Sequence, residues 1–331
     1  MNSLTIMTAT YSHVLLNGGT MTNHIAKAQG CLLGQLSGDA LGSLVEFQSA
    51  DEIRRSYPDG VRAMADGGAH NTIAGQPTDD SEMALLLARM LAKTGSFDLE
   101  AARREYRYWL NSAPFDIGAT ISAGLRGTPN SNSQANGALM RISPLGIFGA
   151  GIDPNRVAEW AMQDAAITHP NPICRQANAL FAMAIAQAIQ FECGRRKLYQ
   201  RIRQWAVDMP AEPALLHSIN KAAEEPPADY LRQQGWVLIA FQNALYQLLH
   251  APGLEAGVVD TIMRGGDTDT NAAICGALLG AVFGREAIPA QWLKSLQNCR
   301  PAPGHPRVRH PRPECLWPVD VLELAENLAT A

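Results

Sequence analysis

Three short acidic runs could do chemistry in this chain of 331 residues. They are Gly38-Asp39-Ala40-Leu41-Gly42 with Glu46 behind it, Thr78-Asp79-Asp80, and Gly265-Gly266-Asp267-Thr268-Asp269-Thr270. Adjacent carboxylates repel each other, and the second and third runs lead directly into strongly apolar stretches, which places them at the edge of a core. Carboxylates gathered there need a cation. Carboxylate and hydroxyl oxygens without Cys or His companions select a hard ion, Mg²⁺. Gly265-Gly266 would let the backbone approach such a site closely. Helix capping accounts for the same residues differently. Asp and Thr are good N-caps, Asp79 and Glu82 have capping-box spacing, and acids near a helix N-terminus complement its dipole. The two readings differ in whether the runs converge, which spacing alone leaves open.

Weaker signals lie between the second and third acidic runs. Asn136-Gly137-Ala138-Leu139-Met140-Arg141 reads as an Asn-Gly turn ahead of a helix, whose free N–H groups suit a phosphate or simply join loop to helix. His169, in Thr168-His169-Pro170, reads as a surface or capping residue after a helix. Asp116, in Pro114-Phe115-Asp116-Ile117-Gly118, reads as an N-cap.

The elements that must position these residues are helical. From Asn23 onward Ile25, Ala28, Cys31, Leu32, Gln35, Leu36 and Ala40 recur at helical spacing. Further helices are expected over Ser81–Lys93, Leu99–Leu110, Asn155–Ala166, Pro172–Phe191, Arg195–Val207, Trp236–Leu249, Thr268–Phe283, Ala290–Leu296 and Val319–Leu328. No run alternates with period two. Arg300–Pro318 reads as an ordered surface loop. Residues 1–22 read as an extension outside the core, extended rather than helical, and 23–331 as one domain. Hydrophobic residues make up 47% and aromatics only 6% of the chain, which favours helices packed through small side chains. A formal net charge of −4 supplies no global basic field for nucleic acid. The longest apolar stretches fall short of the roughly 18 residues of a membrane helix. Six scattered cysteines read as reduced thiols, and the first residues lack the pattern of a signal peptide. The expected location is the cytoplasm.

Taken together and in this order, GCLLGQLSGDALGSLVEF, TDDSEMAL, DIGAT, NGALMRISPLG, THPNP and GGDTDTNAAICGALLGAVFG resemble the ADP-ribosyl hydrolase family, whose founding bacterial type is the dinitrogenase reductase-activating glycohydrolase. The resemblance runs from about Gln29 to Gly284. It implies a single all-α domain with a binuclear metal cleft, holding two Mg²⁺ ions with Mn²⁺ as the alternative. It makes Thr78, Asp79, Asp80, Asp267, Asp269 and Thr270 the metal ligands, and Glu46 a catalytic acid on the mobile segment near them. It makes Asp39 a structural residue of a GDALG turn and Asp116 the acid beside the scissile ribose. Asn136, Gly137 and Arg141 fall in the segment on the ADP-ribose side, and His169 near the nucleotide. Ala135 stands where a glycine is frequent. The implied reaction releases ADP-ribose from a modified protein, with arginine favoured as the acceptor. O-linked ADP-ribose hydrolysis and a non-catalytic binding role on the same fold are the alternatives. A further partner considered is an ADP-ribosylating toxin, countered by hydrolysis or held by the arm 1–22, whose apolar residues Tyr11, Val14, Leu15 and Leu16 would dock on that partner or fold back on this protein's own surface.

Overall fold

The structure is a computed structural model that describes residues 18–331. Its helices, in chain order, are α1 (Gly18–Gly42), α2 (Ala50–Ser56), α3 (Asp79–Thr94), α4 (Leu99–Asn111), α5 (Ala119–Leu125), α6 (Ser143–Phe148), α7 (Pro154–Ala166), α8 (Pro172–Gln190), α9 (Arg195–Asp208), α10 (Pro213–Lys221), α11 (Val237–His250), α12 (Leu254–Ile262), α13 (Thr268–Phe283), α14 (Ala290–Asn298) and α15 (Val321–Thr330). Among the described residues there is no strand. Isolated bridges join Ser49 to Gly265, Gly67 to Thr72 and Ala135 to Trp236. The fold is all-α, as expected. The first helix begins at Gly18 rather than Asn23, so the end of the expected extended arm is helical. The arm's apolar residues Tyr11 and Val14–Leu16 lie outside the described residues.

The centre of the molecule is the antiparallel pair α1 and α13. Gly30, Gly34, Gly38 and Gly42 form a four-residue ladder on α1, facing Gly280, Gly276, Ala272 and the Thr268–Asp269 backbone of α13 in turn. A methyl group on Gly34 would overlap the Gly276 carbonyl oxygen, and one on Gly38 the Ala272 carbonyl. Contact at this distance needs residues without side chains, and it joins the C-terminus of α1 to the N-terminus of α13. The Thr268 hydroxyl locks that junction by donating to the Gly42 carbonyl at 2.7 Å. From Thr268 to Ala281 every residue of α13 is buried, as befits a helix apolar on all sides. Around the pair pack α8, α11 and α12 against α13, and α15 against α1.

Two local expectations are corrected. Asp39 sits in the last turns of α1, so GDALG continues the helix instead of forming a turn. The Arg300–Pro318 segment is ordered but not confined to the surface. Its Arg312 is 4% exposed and donates Nε and Nη2 to Glu82 at 2.7 and 2.8 Å. Glu82 therefore pairs with Arg312 and the Trp109 indole at 2.8 Å, and not with the start of its own helix in a capping box.

The ladder carries a stability prediction. Gly34→Ala should cost about 2–4 kcal/mol in urea unfolding, because backbone must move to admit the methyl group. Gly194→Ala, in open space with φ −64°, should stay within about 1 kcal/mol. Equal urea midpoints for the two variants would refute the close-contact account.

Candidate metal centre and cleft

The helix ends made by α1 and α13 converge with the start of α3. Asp39, from α1, accepts at Oδ1 from Thr78 N at 3.1 Å and Thr78 Oγ1 at 2.9 Å, and at Oδ2 from Ser81 N at 3.1 Å. The N-terminus of α3 is thus capped by a carboxylate from another helix. Thr78 occupies the N-cap position without a capping side-chain bond, and so does Asp267 at the start of α13. Capping accounts for neither Thr78 and its neighbours nor Asp267, and those acids remain available for other work.

The third run is held by backbone. Gly265 and Gly266 both take φ +80°, a left-handed conformation that favours glycine. Gly266 exchanges two hydrogen bonds with the segment after Glu46: Phe47 N donates to its carbonyl at 2.8 Å, and its own N–H donates to the Gln48 carbonyl at 2.9 Å. This clasp brings Glu46 beside Asp267 and Asp269. The Asn136 side-chain amide donates to Asp267 Oδ2 at 2.7 Å, so Asn136 orients an acid as well as lining the cleft. The 136–142 segment is a run of turns before the short α6.

The result is a cleft of about 410 Å³. Its lining includes Glu46, Phe47, Asp79, Asp116, Asn136, Gly137, His169, Asp267, Asp269 and Thr270. Thr78, Asp80 and Asp39 lie beneath it, fully buried or nearly so. Arg141 does not reach the cleft; it is fully buried behind it, paired with Asp164 at 3.0 Å. Asp116 lies before α5, whose N-cap is Gly118, so it is not the N-cap that its local sequence suggested. His169 is fully buried, not a surface residue. A larger groove of about 1170 Å³ opens between α10 and α11, but its acids Glu225 and Asp229 are paired with Lys221 and Arg232. Among the described residues, the buried acids without a Lys or Arg partner belong to the smaller cleft and its floor.

One residue at the site escaped the sequence reading. His70 Nε2 stands 2.7 Å from Glu46 Oε2 and 3.5 Å from Asp116 Oδ2. Ligand atoms of Glu46, His70, Asp116 and Asp269 all fall within 4.8 Å of one another, so the site is not free of histidine as expected. His70 is held from outside by the 300–318 segment. His310 Nε2 meets the His70 carbonyl at 2.8 Å, and the His310 ring stacks on Phe115 with centroids 4.5 Å apart. Arg312 also donates to the Ser112 and Ala113 carbonyls at 2.8 and 3.1 Å, just before Asp116. Nothing in the local sequence around His70 signals this role, since both the histidine and its braces are set by tertiary packing.

The electrostatics favour a proton or a cation among these acids. Burial first, then neighbouring carboxylates, hold Asp79, Asp80 and Asp269 well above the usual carboxylate range. Burial also raises Glu46 and Asp267, and lifts Asp39 to about 6 against its four hydrogen bonds. Among the described residues His70 is the one basic side chain within ion-pair distance of these acids. The Glu46 hydrogen bond raises its proton affinity in return. Thr78 Oγ1 lies 2.9 Å from both Asp39 Oδ1 and Asp80 Oδ2, yet has a single hydrogen to give. Asp80 Oδ1 is buried with no partner at all. Orphaned anionic oxygens at a shared position fit divalent cations.

Known proteins resemble this chain over most of its length. Residues 20–330 match the family model of the ADP-ribosylglycohydrolases. The chain is 32% identical over 280 residues to the ADP-ribosyl-[dinitrogen reductase] glycohydrolase of Rhodospirillum rubrum, covering 82% of this chain and 90% of that protein. It is 27% identical over 289 residues to the ADP-ribosylarginine hydrolase Tri1 of Pseudomonas putida, covering 82% of this chain and 74% of that one. A solved structure described as an ADP-ribosylglycohydrolase-related protein complex superposes with a TM-score of 0.76 at 25% identity, over 93% of this chain and 99% of its own. No helix among the described residues is long and apolar enough to cross a membrane.

The raised carboxylates predict how metal and pH interact. Acids whose folded pKa exceeds the unfolded value contribute stability that is present at low pH and lost as pH rises through the folded value. The metal-free protein should therefore lose stability from about pH 4 upward through about 6, where Asp39 titrates. A divalent cation takes the place of those protons. Millimolar Mg²⁺ should raise Tm by roughly 3–8 °C near pH 8 and hardly at all near pH 5. A Tm indifferent to Mg²⁺ or Mn²⁺ at pH 8 would count against the centre.

Proposed function

This chain belongs to the ADP-ribosylglycohydrolase family, and from that premise we propose that it releases ADP-ribose from ADP-ribosylated arginine side chains of a protein. Two divalent cations, Mg²⁺ or Mn²⁺, would be held by Thr78, Asp79, Asp80, Asp267, Asp269 and Thr270. When bound, they supply Lewis-acid contact to ribose hydroxyls and water.

The observation that carries the arginine assignment is Asp116. Its carboxylate is 24% exposed at the cleft, has His70 at 3.5 Å as its one basic neighbour at ion-pair distance among the described residues, and stands in the same 4.8 Å group as Glu46 and Asp269. A carboxylate so placed meets a guanidinium in bidentate fashion. The names of the Pseudomonas putida and Rhodospirillum rubrum relatives support this acceptor and a protein substrate.

The reaction breaks the bond between ribose C1″ and the guanidinium nitrogen. Water adds its oxygen to C1″, and the guanidine leaves with a proton. Asp116 holds the guanidinium so that its nitrogen lies over the cleft acids, and stabilises it as it leaves. Positive charge grows at C1″ as the bond stretches, and the cleft carboxylates oppose it without having to reorganise. Glu46, raised by burial and by Asp116 and Asp267, is a carboxylate suited to taking a proton from water. His70 bridges Glu46 and Asp116 and keeps both on one side of the cleft. Asn136 steadies Asp267, and Gly137 leaves room for the nucleotide beside His169.

Such an enzyme opposes an ADP-ribosyltransferase. Immunity to an ADP-ribosylating toxin is one setting that would use it, with residues 1–22 as the proposed contact to the toxin.

The test is incubation with arginine-ADP-ribosylated protein in Mg²⁺ or EDTA, reading free ADP-ribose. Wild type should release it only with metal. Asp267→Ala and Asp79→Ala should abolish release while keeping the helical circular dichroism. Asp116→Asn should lower kcat by about 10²–10⁴-fold and change ADP-ribose affinity less than about threefold. Release from serine-linked but not arginine-linked substrate would move the acceptor to oxygen and remove this role of Asp116.

A further inference from the structure

Behind one wall of the cleft, a chain of hydrogen bonds decides which nitrogen of His169 carries the proton. Tyr106 donates its hydroxyl to Asp164 Oδ2 at 2.7 Å. Arg141, stacked over the Tyr106 ring at 4.4 Å, donates Nε to Asp164 Oδ1 and Nη2 to the Asp164 carbonyl, both at 3.0 Å. Its Nη1 reaches Thr168 Oγ1 at 2.9 Å, and Thr168 Oγ1 stands 2.7 Å from His169 Nδ1. Arg141, Asp164, Thr168 and His169 are all fully buried.

The donor count has one solution that leaves no hydrogen stranded between Arg141, Thr168 and His169 Nδ1. A guanidinium can only donate, so Thr168 Oγ1 must accept from Arg141. The hydroxyl hydrogen then needs an acceptor, and His169 Nδ1 is the one in reach. The reverse assignment, with Nδ1–H donating to Oγ1, strands the Thr168 hydrogen inside the core, at a cost that buried polar groups rarely bear. His169 therefore carries its hydrogen on Nε2. That nitrogen is buried and has no partner in the protein, although the ring helps to line the cleft beside Gly137. Burial and the Arg141 charge push the ring's pKa down to about 3, so it stays neutral at physiological pH.

We propose that Asp164, Arg141 and Thr168 form a positioning relay that locks His169 as the neutral Nε2–H tautomer, and that this fixed donor hydrogen-bonds an acceptor oxygen of ADP-ribose. The inference rests on the proposed function only in taking ADP-ribose as the ligand. It assigns Arg141 a role through Thr168 and His169, instead of direct contact with the nucleotide. A tautomer set in advance spares the ligand the cost of selecting it, and a neutral donor holds its strength across the pH range in which an ordinary histidine titrates.

The experiment uses the full chain with ¹⁵N-labelled histidine, in wild type, Thr168→Val and Thr168→Ser. One arm records the ¹H–¹⁵N signature of the His169 ring, and the other titrates ADP-ribose in Mg²⁺ by calorimetry. Wild type should show a protonated Nε2 and an unprotonated, hydrogen-bonded Nδ1, unchanged between about pH 5.5 and 8. Thr168→Val keeps the shape, should lose that signature, and should bind ADP-ribose roughly tenfold more weakly. Thr168→Ser should restore both. A wild-type ring protonated at Nδ1 would overturn the relay, as would a Val variant with unchanged tautomer and affinity. The wild-type spectrum decides the tautomer even if the Val variant does not fold. Failure of the arginine hydrolase reading would appear separately, as no release of ADP-ribose by a wild-type protein whose His169 signature is as described.

Discussion

The closest constraint in the molecule is the contact between α1 and α13. Four glycines spaced one helical turn apart let two backbones meet where side chains would ordinarily keep them several ångströms apart. Asp39 lies on α1 between the last two of these glycines, and Asp267 to Thr270 span the start of α13 opposite them. Two acidic runs more than two hundred residues apart are superposed by the register of one helix pair. The third joins because Asp39 reaches across to cap α3 and thereby fixes Thr78, Asp79 and Asp80 at the same point. Sliding the pair by one turn would move Asp39 about 5.4 Å and leave α3 without its cap.

That geometry is stabilising for the chain and unfavourable for its charges. The glycine contact belongs to the folded core, so the acids gather there whether or not a cation is bound. Their repulsion and desolvation are borne by packing elsewhere, around α13 and against α8, α11 and α12. Carboxylates placed by backbone packing in this way are oriented by the fold itself, the condition under which fixed charges act most strongly on a developing positive charge. The 300–318 segment adds a second layer. By fixing Glu82, the carbonyls before Asp116 and the backbone of His70, it aligns the more open side of the cleft with the buried side.

Much of this was legible in the sequence, and the reason is local. Ten helices were expected from apolar spacing; α1 begins five residues before the expected Asn23, and the structure places the other nine within about two residues of the expected ends, with Thr268–Phe283 the same at both. The acidic runs were visible because each is dense in one chemistry and lies against an apolar helix. Five helices went unread: α2, α5, α6, α10 and α12 are nine residues or fewer, too short for periodicity to show. His70 and Arg312 were missed for a different reason. Each is a single residue in a loop, and its importance comes from partners 24 and 230 positions away.

Arg141 shows where reading by motif stops. The family resemblance placed it, with Asn136 and Gly137, in the segment on the ADP-ribose side. The fold turns the side chain inward, against Asp164 and the Tyr106 ring. A guanidinium fully buried and paired with one carboxylate adds little net attraction for an anion, because Asp164 cancels most of its field. What survives burial is directional: five donors in a rigid fork, one of which must end on Thr168. An arginine in that position influences the cleft through the orientation of a neutral ring, with its charge neutralised behind the wall.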